Sequence, residues 1–255
     1  EAGSRFDGTG GAALYVTKAF GRFAGFEVGW MLWVVRTTSW ASVVNGLSDA
    51  LGYYWPALRA GTPRQMFIAA VILALMGVNI RGIKQSAWLV NALTVGKLVP
   101  LAIFIALGLQ RAVPFAMIMT IVIAGLVMTL AQVVSVGTLP NLAASKTALA
   151  DAARIFIGGA GALLMTIGAS ISMTGQNMGS ALSGSRNLYG LAEQGDLPTV
   201  FGRIHPVLGT PVTAIVITSL LALGLALSGS FASMATVSAV ARLVVYVGTA
   251  AAVPT

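Results

Sequence analysis

Three ionisable side chains stand deep inside apolar stretches of this sequence, and all three are basic: Arg36, Lys97 and Arg242. A charge in hydrocarbon is costly, so such groups are kept where they pair, line a path or handle a proton. Lys97 is the most informative. It lies near the middle of the apolar run 86–109, too far from either end for its amine to snorkel to water. Desolvation makes the charged ammonium expensive there, and a lysine so placed can exchange a proton with its surroundings. A structural lysine bonded to helix carbonyls is the plainer alternative. Arginine rarely releases its proton, so Arg36 and Arg242 are expected to anchor one helix to another. The second feature is a polar run, "TGQNMGSALSGSRNLYGLAEQGDLP". Its residues Gln176, Asn177, Ser180 and Ser183 recur at spacings of three and four, which predicts one shared helix face. Such a stripe faces a cavity or bonds to a neighbouring helix, the second being the plainer role.

Other chemistries lack their residues. No Asp or Glu stands mid-span; Glu27 and Asp49 fall near the ends of the first apolar stretch. That argues against a carboxylate-relay pump and a carboxylate-lined cation pore. The single histidine, His205, precedes Pro206 in a polar segment, and several ligands would be needed for a metal. There is no GxSxG nucleophile motif. "GTGGAA" lacks the third glycine and the strand–helix setting of a phosphate-binding loop. Neither catalysis, nor a metal, nor an organic cofactor is expected.

The elements that hold these groups follow from composition. The chain has 255 residues, of which 57% are hydrophobic and 9% charged, with a mean hydropathy of +0.88. A soluble domain carries about 25% charged residues to wet its surface. The absence of cysteine excludes a disulfide scaffold. The net charge of +8 comes from basic residues scattered singly. They form no stripe that would track nucleic-acid phosphates; in a membrane protein they belong in cytoplasmic loops. A bilayer core about 30 Å thick needs about 20 apolar residues per helix. Seven runs qualify, at about 26–50, 64–80, 86–109, 114–138, 155–184, 211–228 and 231–253. Before them lie a glycine-rich segment and a short amphipathic piece, without a signal-peptide pattern. Gly21, Gly25 and Gly29, and again Gly175 and Gly179, are spaced by four, which predicts close helix approach. No shift of composition marks a soluble domain. The prediction is a single integral membrane domain over 1–255, an all-α polytopic transmembrane helix bundle with the lipid bilayer as its partner.

Four segments, in order, resemble amino-acid permeases of the amino acid–polyamine–organocation superfamily. "GGAALYVTKAFGRFAGFEVGWMLWVVR" is similar to the loop before the third span and that span's start. "NIRGIKQSAWLVNALTVGKLVPLAIF" resembles the link from the fourth to the fifth span, with the fifth-span lysine. "RAVPFAMIMT" is similar to the entry into the seventh. "ALSGSRNLYGLAEQGDLPTVFGRIHPVLGTP" resembles the end of the eighth span and its cytoplasmic loop. The resemblance covers nearly the whole chain.

It implies a partial five-plus-five inverted-repeat fold whose seven spans match the family's third, fourth, fifth, seventh, eighth, ninth and tenth. The first, second, sixth and last spans are then missing, with an internal deletion near residues 110–111. It also implies a transporter in the bacterial plasma (inner) membrane, moving an amino acid or related amine by alternating access and coupled to protons. Lys97 matches the family's fifth-span lysine, with Ser180 as its eighth-span partner for proton coupling. Gln176 and Asn177 lie near that pair, and Val35 and Ser39 match third-span positions beside the substrate pathway. The alternative is a truncated scaffold that does not transport. By this matching, residues 1–22, 81–84, the junction near 111 and 186–205 are cytoplasmic. Loss of one span reverses the direction of everything after it, so mixed orientation of the second half is expected.

Overall fold

The computed structural model describes residues 11–81, 113–140, 142–229 and 231–252. Its elements are α-helices: α1 (Ala12–Phe20), α2 (Arg22–Leu51), α3 (Gly61–Arg81), α4 (Val113–Thr138), α5 (Ala148–Ile157), α6 (Gly159–Glu193), α7 (Val212–Ser228) and α8 (Phe231–Ala252). The described apolar runs become helices because they are long, free of proline beyond the first turn and bounded by glycine or proline breaks. Run 86–109 lies outside the described residues.

The longest helices, α2 and α6, form the centre. Trp40 and Val44 of α2 pack with Ile68, Ile72 and Leu75 of α3, Met178 and Ala181 of α6, and Ala222 and Ala226 of α7. The remaining helices sit around this core. From Ile121 onward α4 is almost wholly exposed, as a helix in contact with lipid would be. Among the described residues three helices are long and apolar enough to cross a membrane: Gly61–Arg81, Ile121–Thr138 and Phe231–Ala252. Helix α7 is equally apolar but has 17 residues. The central α2 and α6 fall below that hydropathy because they carry serine, threonine and asparagine toward other helices, where those groups can bond.

The bundle has two distinct ends. At one, the Arg22 guanidinium meets Asp196 Oδ1 at 2.6 Å and donates to the Gly195 carbonyl at 2.7 Å. Thr210, just before α7, donates to the Ile80 carbonyl at the end of α3. At the other end Arg64 meets Asp49 at 2.6 Å, and the Tyr54 hydroxyl reaches the Gly159 carbonyl at 3.5 Å. Helices α2 and α7 therefore run one way, and α3, α6 and α8 the other. The polar segment after α6 lies at the same end as Arg22 and Arg81. Contacts of α6, α7 and α8 along α2 hold these helices in one arrangement.

The sequence-based boundaries shift in two places. The run 155–184 is not one helix: Gly158 has φ +73 and separates α5 from α6. Helix α6 then continues nine residues past the expected end, through the polar run to Glu193. It can do so because Ser183 and Ser185 return their hydroxyls to the Gly179 and Ala181 carbonyls.

The glycine spacing is only partly a packing code. Gly21 has φ +88 and makes the turn between α1 and α2. A Cβ on Gly25 would collide with the Thr17 side chain and lie 2.9 Å from its Cα. A Cβ on Gly29 would sit 3.2 Å from Ala13 and 2.5 Å from Leu191. Gly179, by contrast, faces open space. Gly25→Ala should therefore push α1 off α2 and destabilise the bundle by about 1–3 kcal/mol. Thermal unfolding in detergent measures this, and an unchanged midpoint would show that α1 is not held by that contact.

Candidate functional site

Helix α2 carries a polar residue every third position, Ser39, Ser42, Asn45 and Ser48, and each bonds outside the helix. The Ser39 and Ser238 hydroxyls are 2.7 Å apart. Ser42 donates to the Phe231 carbonyl at 2.9 Å. Asn45 Nδ2 donates to the Ala226 carbonyl at 3.0 Å, and its Oδ1 accepts from Arg64 at 2.6 Å. Ser48 donates to the Leu58 carbonyl at 2.8 Å. These bonds fasten α2 to α8, α7 and the α3 entry. Asn45 is the hub: its loss breaks a charge-assisted bond and strands a buried carbonyl. Asn45→Ala should cost about 2 kcal/mol, read as a lower denaturant midpoint; a wild-type midpoint would remove the hub role.

The sequence-predicted residues fall into separate groups. Val35 and Ser39 are buried on the α8 side of α2, where Ser238 also reaches the Val35 carbonyl at 3.4 Å. Arg242 donates to Ser39 at 3.3 Å, which is the interhelical anchor expected of it. Asn177 and Ser180 lie on the α6 turn that packs Met178 and Ala181 against Trp40. No hydrogen bond among the described residues joins the pair Val35–Ser39 to the pair Asn177–Ser180. Gln176 is exposed. The predicted stripe is thus split: consecutive helical residues point about 100° apart, and position 176 is turned out as 177 is turned in. Lys97 lies outside the described residues.

The α2–α6 interface holds an unusual concentration of unsatisfied polar atoms. Asn177 is 0% exposed and Ser180 1%. Neither amide atom of Asn177, nor Ser180 Oγ, nor Trp40 Nε1 finds a hydrogen-bond partner among the described residues. Arg36 Nε is likewise buried and unpartnered, so the structure does not give Arg36 the anchoring role expected for it. Folded proteins leave few such groups, because each costs about 1–3 kcal/mol. These atoms mark where a polar partner belongs. Among the described residues no cluster of three or more His, Cys, Asp or Glu could hold a metal.

Comparison with known proteins agrees on one kind of relative. The family described as amino acid permease matches residues 1–110 and 110–253. The serine/threonine exchanger of Bacillus subtilis is 25% identical over 276 aligned positions, covering 84% of this chain and 61% of the exchanger. An arginine/ornithine antiporter of Pseudomonas aeruginosa is 33% identical over 105 residues, 39% of this chain and 21% of that protein. A polyamine transporter of rice (Oryza sativa subsp. japonica) is 30% identical over 114 residues, 45% of this chain and 22% of that protein. The chain thus spans between about one fifth and three fifths of the length of these relatives.

Proposed function

Because the chain belongs to the amino acid permease family, we propose that it is the scaffold portion of a proton-coupled transporter for an amino acid or related amine. It is an integral membrane protein; the bacterial plasma (inner) membrane is the location we assign. The observation that carries the mechanism is the pair Asn177 and Ser180, fully buried on one turn of α6 without partners. In the proposed mechanism the Lys97 amine meets Ser180 Oγ in the intact transporter. Protonated, it makes charge-assisted bonds that hold one conformation closed. Deprotonated, it loses a donor and its charge, and the repeats can move for alternating access. Val35, Ser39, Gln176 and Asn177 are assigned to the substrate pathway.

The exchanger alignment spans 276 positions against 84% of this chain, and the family match divides at residue 110, which supports a missing internal segment near residues 110–111. A family transporter holds its substrate with broken helices, whose free backbone groups and helix ends meet the ligand. Without the sixth span, the groups left converge too sparsely to fix a zwitterion. The 255-residue chain, reconstituted in vesicles, should therefore show no stereospecific amino-acid uptake above empty vesicles. Saturable uptake by this chain would overturn the assigned deletion.

A further inference from the structure

A cavity of about 570 Å³ opens at the Arg22 end, between the first half of α2, the end of α3, the last three turns of α6 and the start of α7. Arg36 and Leu182 line it toward the middle of α2 and α6, and Glu193 and Gln194 line it at the end of α6. Arg36 is fourteen residues along α2 from Arg22, a depth of about 21 Å at 1.5 Å per residue. Its Cβ faces Gly184, where an added Cβ would lie 3.4 Å from it. A second guanidinium, Arg186, lines the same wall. The ion pairs among the described residues are Arg22–Asp196 and Arg64–Asp49, so neither cavity arginine has an acidic partner there. The one carboxylate in the lining is Glu193, which accepts from the Tyr189 hydroxyl at 3.3 Å.

A guanidinium at membrane depth without a counter-charge is expensive. An anion entering from the Arg22 end would compensate it, and the planar fork of Arg36 suits two oxygens of one group. We infer that this cavity is a binding site for a small organic carboxylate, with the Arg36 guanidinium as its floor and Arg186 as an attracting charge nearer the mouth. The volume fits small-molecule sites, which run about 300–1,000 Å³. Depth favours a solute over a lipid phosphate, because headgroups stay at the edge of a core about 30 Å thick. The site stands whether or not the chain carries a substrate.

The chain has no cysteine, so one reporter can be placed cleanly. Gly190 lines the cavity and a Cβ there meets open space. In phosphatidylcholine vesicles, Gly190→Cys should react about tenfold faster with an anionic methanethiosulfonate than with a cationic one. Arg36→Gln should bring that ratio toward one, and Arg36→Lys should keep it. Succinate should slow labelling of the parent reporter and not of the Arg36→Gln variant. A neutral reagent reports folding; should its rate change in Arg36→Gln, Arg186→Gln becomes the deciding variant and must lower the ratio. A ratio indifferent to these arginines overturns the site. Protection by phosphatidylglycerol with none by succinate also overturns it, assigning the arginines to a lipid phosphate.

Discussion

In the full-length protein, Lys97→Gln should abolish the response of uptake to an imposed pH gradient while exchange of substrate for substrate survives. The expectation rests on two burdens that one contact would relieve. A lysine in the middle of an apolar run needs an acceptor, and Ser180 with Asn177 offers buried oxygens that no described residue uses. One pH unit is worth about 1.4 kcal/mol, enough to drive about tenfold accumulation at one proton per substrate. The wild type should approach that accumulation and Lys97→Gln should show none. Glutamine keeps a donor and similar length but cannot gain or lose a proton, so exchange can persist. Impaired uptake by Lys97→Ala would decide nothing, since a purely structural lysine predicts it too. If Lys97→Gln still concentrates substrate in response to the gradient, the coupling role fails and a fixed structural bond remains.

The second large effect is topological. Single cysteines at Lys18 and His205 should label from the same face of the membrane, and one at Ala60 only from the other. All three positions are exposed. The Arg22–Asp196 pair ties the first two to one end, and the Tyr54–Gly159 bond and Arg64–Asp49 pair define the opposite end. Arg81 lies at the Arg22 end of the bundle and Gly159 at the opposite end. Label at His205 appearing with that at Ala60 would mean that the arrangement of α2 against α6 is wrong.

Where the helices lie was legible in the sequence, because long apolar runs between glycine and proline breaks have one solution in lipid. The break at Gly158 was not, since a left-handed glycine leaves no trace in hydropathy. The polar end of α6 was misread for a related reason: serine hydroxyls that return to their own helix carry polarity without ending it. For the site, residue types were legible but their grouping was not. Ser39 was singled out from resemblance, whereas its three-residue spacing with Ser42, Asn45 and Ser48 already announced a bonding stripe. Arg36 looked like an anchor from its type alone. Only the packing of α2 on α6 and α7 shows that no acid or carbonyl among the described residues reaches it.

We propose that the full-length protein containing this chain transports an amino acid or related amine. Counterflow into vesicles containing the full-length transporter tests it most directly, with L- and D-amino acids and polyamines supplied in turn inside and labelled substrate outside. The expected result is saturable counterflow of at least one amino acid or amine, stereoselective where the substrate is chiral. Vesicles that show no counterflow with any of these substrates, while the purified protein remains folded, would contradict it.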